Sequence, residues 1–198
     1  MKKVVLIPGD GIGKEITNSV VTILEKAEAK IDWVECSAGL SAYEETGNPL
    51  PEETIQAIEE HRVALKGPLT TPVGTGFRSV NVALRQKFHL YSNIRPAQTL
   101  PSIDSAFKNV NMVIFRENTQ GLYIGKEQLV DEDEKNHAES IAVVTEEASK
   151  KIITSAFEYA RAHDRKKVTL VHKANILKFT TGLFLEVGRE VAKAFPEI

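Results

Sequence analysis

Val4-Val5-Leu6-Ile7 is a continuous apolar run, mostly β-branched, of the kind that forms a strand covered on both faces in a parallel sheet. From Ile12 onward the period changes: Ile16, Val20, Ile23, Leu24 and Ala27 recur at helical spacing. Ile31 to Cys36 reads as a second strand, and residues 37–50, with their Gly, Pro and Asn, as a loop. Pro51 opens a helix with Glu52 and Glu53 in its first turn and His61 and Arg62 at its end, the order the helix macrodipole favours. Val63 to Lys66 reads as a short strand stopping at Gly67-Pro68. Strands alternating with helices predict an α/β fold.

Residues 67–78 are dense in Gly, Pro and Thr and read as a loop, followed by a helix over about 79–88. Val80, Ala83 and Leu84 form that helix's apolar side, and Asn81 and Arg85 lie one turn apart on another face. Leu90 to Gln98 is extended, with Pro96 confining it to an edge. Met112 to Phe115 reads as another buried strand. Segments 121–130 and 140–145 alternate loosely around an acidic, solvated loop at Asp131 to Glu134, and are read as an antiparallel arm. Thr145 is placed to cap a helix that buries Ala148, Ile152, Ala156 and Ala160. Lys167 to His172 reads as a strand and 179–194 as a final helix. A boundary is expected near 97–100, giving parts of 1–97 and 98–198.

Composition narrows the class. The 198 residues are 42% hydrophobic and 26% charged, ordinary for a soluble globular chain. The formal charge of −2 leaves no footprint for nucleic acid or an anionic membrane surface. No apolar stretch approaches the roughly 18 residues a membrane helix needs. Cys36 is the only cysteine, so no intrachain disulfide forms, and the expectation is a reducing, cytoplasmic setting. Collagen-like, disulfide-scaffold and largely disordered classes are excluded.

Gly9-Asp10-Gly11-Ile12-Gly13 lies between a strand and a helix and invites a dinucleotide reading. The Rossmann fingerprint needs a third glycine where Lys14 stands, and the phosphate loop needs other residues than Pro8 and Glu15. Glu35 alone speaks for a Rossmann site; otherwise the glycines serve a tight turn. Arg78, Arg85, Arg95 and Arg116 each sit where an apolar element meets a polar segment. Guanidinium forks bind carboxylates bidentately and stay charged, so converging forks would suit a substrate with two or three carboxylates. Spacing does not establish that they converge. Ser79 is either a helix cap or part of an anion site at a helix N-terminus. Tyr123 by itself reads as packing. Lys173 lies at a strand's C-terminal end, where ligands collect in α/β sheets, and lysine readily serves in proton transfer.

Five strings, in order, bind these fragments together: LIPGDGIGKEI, GPLTTPVGTGFRSVNVALRQ, LYSNIRP, REN-x-x-GLY and VHKANI. They resemble the isocitrate/isopropylmalate dehydrogenase family over nearly the whole chain. The resemblance implies a mixed sheet flanked by helices, a second, smaller α/β domain, and a dimerisation arm at about 121–145. It implies metal-dependent oxidative decarboxylation of a 2-hydroxy acid with NAD or NADP, and magnesium or manganese. Its nucleotide site is not a Rossmann site, in keeping with the failed fingerprints.

Arg78-Ser79-Val80-Asn81-Val82-Ala83-Leu84-Arg85 looks like the isocitrate type, because Ser79 and Asn81 offer hydrogen bonds where relatives acting on isopropylmalate offer apolar contact. By the resemblance, Arg85, Arg95 and Arg116 clamp the substrate's carboxylates, and Ser79 and Asn81 hold the one on the γ side. Tyr123 protonates the enol left by carbon dioxide. Lys173 takes the C2 hydroxyl proton and reaches the partner subunit's site, which implies a homodimer. Leu69, Thr70 and Thr71 lie against the nicotinamide half of the cofactor, with Asn175 close by. NAD is favoured over NADP by the compact N-terminal half.

Gln120 stands where relatives often have an acid, and Thr75 where they have a glycine. No metal ligand is assigned in this chain. In the family the metal-binding aspartates and the adenosine loop lie beyond the stretch matched here, so the chain is expected to be the N-terminal portion of a longer enzyme. The alternatives are a non-catalytic carboxylate-binding and dimerisation module, or a dehydrogenase of the homoisocitrate, tartrate or isopropylmalate type.

Overall fold

A computed structural model describes residues 1–73, 76–130 and 137–198. Thr75 and the acidic loop at 131–134 lie outside the described residues. The chain divides into two compact units, Met1–Leu84 and Arg85–Ile198.

The first unit is built on a parallel sheet. Strands β1 (Lys2–Ile7), β2 (Ile31–Glu35) and β3 (Ala64–Lys66) are ordered β2-β1-β3. Val5 in the central strand pairs with Val34 on one side and Ala64 on the other. Val4, Val5, Leu6 and Ile7 are all buried, which explains why β1 is continuously apolar rather than alternating. Helix α1 (Gly13–Lys26) follows β1. Its helical spacing is as expected, but its apolar stripe is not its buried face: Gly13 and Thr17 are buried, whereas Ile16, Val20 and Ile23 are exposed.

The segment expected as a loop at 37–50 contains a helix, α2 (Leu40–Thr46). It carries no N-capping side chain of its own, and Gly47 ends it in the left-handed conformation at φ 77°. Helix α3 (Glu52–His61) follows Pro51, and α4 (Val80–Lys87) hides Val80 and Leu84. The division between the units falls within α4.

In the second unit β4 (Ser92–Gln98) and β5 (Asn111–Glu117) form an antiparallel pair. The division therefore comes earlier than the boundary expected near 97–100, because β4 is hydrogen-bonded to β5. The run Met112 to Phe115 is not buried throughout as its composition suggests: Met112 and Ile114 are exposed on the face away from Val113 and Phe115. β6 (Gly121–Leu129) and β7 (Ala138–Val143) form the antiparallel arm. Helices α5 (Glu146–Ala162) and α6 (Thr180–Ala192) enclose Ile152, Ile153, Phe157, Val187, Val191 and Phe195, with the Phe157 and Phe195 rings stacked 5.0 Å apart. Thr145 caps α5 by accepting from the Ala148 amide at 3.3 Å.

Residues 167–172 are not a strand among the described residues: they join no ladder. Val168 and Leu170 pack against the α5–α6 core, but alternation alone does not make a strand without a hydrogen-bonded neighbour.

Candidate functional site

Antiparallel register places the arginines of the second unit. Asn93 lies opposite Arg116, and Arg95 opposite Ile114. Opposed residues share a face and alternate residues return to it, so Asn93, Arg95, Ile114 and Arg116 are on one side of the β4–β5 pair. Arg95 and Arg116 are diagonal neighbours there, with Cα atoms about 7–8 Å apart by sheet geometry. Arg95 Nε donates to Asn93 Oδ1 at 3.2 Å. Arg116 Nη2 donates to the Tyr123 hydroxyl at 2.6 Å, and its guanidinium lies 5.5 Å from the Tyr123 ring centroid. Both guanidiniums are exposed, and among the described residues neither pairs with an Asp or Glu. Two guanidiniums on one face have the chemistry to bind an anion.

Tyr123 is delivered by the turn between β5 and β6. The Glu117 carboxylate accepts from the amides of Thr119 and Gln120, both at 2.9 Å, and from the Thr119 hydroxyl. Gln120 reaches across to Thr145: its Nε2 donates to Thr145 Oγ1 at 2.8 Å, and the Thr145 amide donates to its Oε1 at 2.9 Å. The residue that departs from the family's usual acid thus ties the turn to the start of α5.

Arg116 and Tyr123 also line a cavity of about 1400 Å³ whose walls include Val113, Ile152, Val168 and His172. The walls are mostly apolar, and Arg116, Arg165, Lys166 and Lys167 are the cationic residues among them. Lys173, after His172, is exposed, and the Arg116–Tyr123 hydrogen bond does not include it. Its carbonyl accepts from the Ile176 and Leu177 amides, which turns the chain and leaves Asn175 exposed.

On α4, the Ser79 carbonyl accepts from Val82 and Ala83, which puts Ser79 at the start of the helix. Asn81 and Arg85, one turn apart, are half-buried.

Leu69, Thr70 and Thr71 lie in the loop after β3. Its backbone is fixed by Asp10, whose Oδ2 accepts from the Thr70 amide at 2.8 Å. Asp10 also accepts from the amides of Leu40 and Ser41 and from the Ser41 hydroxyl, at 2.9, 3.0 and 2.9 Å. It is thus the cap that α2 lacks in its own sequence. Burial works to raise its pKa, but the bonds from Ser41, Leu40 and Thr70 outweigh that and hold the carboxyl below its ordinary range. Sequence reasoning passes over Asp10 as part of a glycine turn. Its position just after β1, where ligand loops gather in parallel sheets, is the available signal.

The sequence pattern of the isocitrate/isopropylmalate dehydrogenase family matches residues 3–198. The chain belongs to this family. It is 44% identical to a regulatory polypeptide of the mitochondrial NAD isocitrate dehydrogenase of Dictyostelium discoideum, covering 100% of this chain and 53% of that protein. It is 42% identical to the chloroplastic 3-isopropylmalate dehydrogenase of Solanum tuberosum, over 98% of this chain and 53% of that one. The crystal structure of isocitrate dehydrogenase from Methylococcus capsulatus matches with a TM-score of 0.96 and 56% identity, over 100% of this chain and 59% of the other. The chain therefore spans about half the length of the curated relatives it matches. The family's α/β fold and the likeness to the N-terminal portion of NAD isocitrate dehydrogenases both hold.

The cytoplasmic expectation does not hold. The similar NAD isocitrate dehydrogenases are mitochondrial by name. A single thiol records that no intrachain disulfide forms; it does not choose between compartments. Among the described residues no helix is long and apolar enough to cross a membrane.

Proposed function

We propose that this chain supplies the carboxylate clamp and the proton-handling residues of an NAD-dependent isocitrate dehydrogenase that forms 2-oxoglutarate. The observation that carries the reading is the placement of two guanidiniums, Arg95 and Arg116, on one face of β4–β5 with Tyr123 bonded to Arg116. Arg95 and Arg116 bind carboxylates of isocitrate, Arg85 binds another, and Ser79 and Asn81 hold the one on the γ side. Lys173 takes the proton of the C2 hydroxyl. NAD, when bound, would supply the acceptor for the hydride that leaves C2. The resulting β-keto acid loses carbon dioxide, and the electron pair of the broken carbon–carbon bond passes into an enolate. Tyr123 then gives its proton to C3. Because Arg116 donates to the Tyr123 oxygen, the hydroxyl proton is free to leave, and the guanidinium stabilises the charge left behind.

Leu69, Thr70 and Thr71 suit the nicotinamide half of NAD, since Thr70 and Thr71 are exposed while the loop behind them is fixed by Asp10. Asn175 is assigned to the same region. NADP would use the same loop. A divalent cation, magnesium or manganese, belongs to the reaction as the family performs it. The described residues do not fit one: no three His, Cys, Asp or Glu side chains gather among them. The protein is proposed to act as a homodimer in which Lys173 serves the partner's site, in keeping with its exposure and its lack of any bond to Arg116.

A non-catalytic carboxylate-binding and dimerisation module is the second reading, favoured by the want of a cation cluster among the described residues. Calorimetric titration of the chain with isocitrate and with isopropylmalate, followed by turnover assays with NAD and magnesium, tests both. Isocitrate binding with turnover supports the enzyme, and binding without turnover the module. Equal affinity for the two acids overturns the substrate assignment.

A further inference from the structure

We infer that Asp10 is the positioning residue that sets the 69–71 loop for the nicotinamide half of the dinucleotide. The inference rests on the proposed assignment of that loop. Asp10 follows β1, Leu40 and Ser41 open the helix after β2, and Thr70 is in the loop after β3. One carboxylate thus joins the segments that leave the C-terminal ends of all three parallel strands. Its two oxygens divide the work. Among the described residues Oδ1 accepts from Ser41 alone, whereas Oδ2 accepts from Leu40 and from Thr70.

The surrounding backbone leaves no slack. A Cβ on Gly39 would stand 2.3 Å from Asp10 Oδ2, and one on Gly9 2.3 Å from the Pro68 carbonyl oxygen. The Asp10 amide in turn donates to Pro68 at 2.8 Å. The loop is therefore gripped from behind at Pro68 and Thr70, while Thr70 and Thr71 are exposed. Asp10 itself is 5% exposed, so it acts on a ligand through the loop and not by contact. Fixing a binding loop in advance lowers the ordering cost at the moment of binding.

The test uses the ¹⁵N-labelled chain, titrated separately with NAD and with isocitrate, as wild type, Asp10→Asn and Ser41→Ala. Asp10→Asn puts an NH₂ donor among N–H donors. It is expected to raise the NAD Kd about tenfold while the isocitrate Kd moves less than about twofold, the loss of one charge-assisted bond being read out at one ligand only. Ser41→Ala spares Oδ2 and should leave NAD affinity unchanged. Equal losses for both ligands, or an unchanged NAD Kd in folded Asp10→Asn while NAD still shifts the wild-type Thr70 and Thr71 amides, overturn the role of Asp10 and leave the loop assignment standing. If NAD leaves those wild-type amides unmoved, the loop assignment fails and the inference with it. Should Asp10→Asn not fold, hydrogen exchange in the wild type decides: a Thr70 amide protected as well as that of Leu40 supports the grip, and one exchanging at the rate of an open loop overturns it.

Discussion

Arg116 and Tyr123 are joined by a 2.6 Å hydrogen bond although they sit on different strands of different sheets. They are seven positions apart in the chain, and the Glu117-stabilised turn between β5 and β6 brings the ring back beside the guanidinium. In Tyr123→Phe the ring, and with it the cation–π contact, remains. Isocitrate affinity should therefore stay within a few-fold, while turnover falls about 10²–10⁴-fold, the usual worth of a general acid. Steady-state kinetics with isocitrate, NAD and magnesium separate the two effects, and unchanged turnover would remove Tyr123 from the proton transfer.

Arg116→Ala removes one of the two guanidiniums on the β4–β5 face and should weaken isocitrate binding by about ten- to a hundredfold, the range for a charge-assisted pair. Arg116→Lys keeps the charge but loses the fork, so it should recover only part of the loss. Calorimetry gives both values. Full recovery by lysine would mean that point charge and not bidentate geometry holds the substrate.

Lys173 is exposed and bonded to none of the clamp residues. Lys173→Met should accordingly leave isocitrate affinity almost unchanged while abolishing oxidation at C2. Mixing Lys173→Met with Tyr123→Phe then bears on the proposed dimer. If Lys173 serves the partner's site, one site of a mixed dimer regains both residues and activity returns; no recovery would place Lys173 in its own subunit's site.

The strands and helices with strong local periodicity are legible in the sequence: β1, β2, α3, the arm and the Thr145-capped α5 all follow from residue spacing. The failures share a cause. Helix α2 is hidden because its cap, Asp10, lies thirty residues earlier in the chain. Residues 167–172 have strand composition but no partner strand among the described residues, and pairing is not a property of composition. In the site, the side-by-side placement of Arg95 and Arg116 depends on the register of β4 against β5, which spacing alone does not set. The motifs name these arginines; only the antiparallel pairing puts them on one face.

Thr145 links the arm's end, α5 and the Gln120 turn. Thr145→Ala deletes the cap and leaves Gln120 Nε2 without its hydroxyl acceptor, so it should cost about 1–2 kcal/mol in stability. Thermal denaturation measures this, and a loss well under that range would mean that water replaces the hydroxyl at little cost.

Asp10 gives stability a dependence on acid pH whose sign is fixed by its bonds. Its folded-state pKa lies below the ordinary 3.8 because the bonds from Ser41, Leu40 and Thr70 outweigh the opposing effect of burial. The unfolded chain therefore takes up the proton first as pH falls. The carboxylate's contribution is complete above the ordinary value and disappears as pH drops through the lower, folded one. Wild type should exceed Asp10→Asn in stability at neutral pH, with the gap narrowing only below about pH 4. Urea unfolding of both proteins across about pH 2–7 measures the gap. A gap that stays constant over that range would show that the protonated Asp10 carboxyl serves as well as the carboxylate, so that its charge contributes nothing.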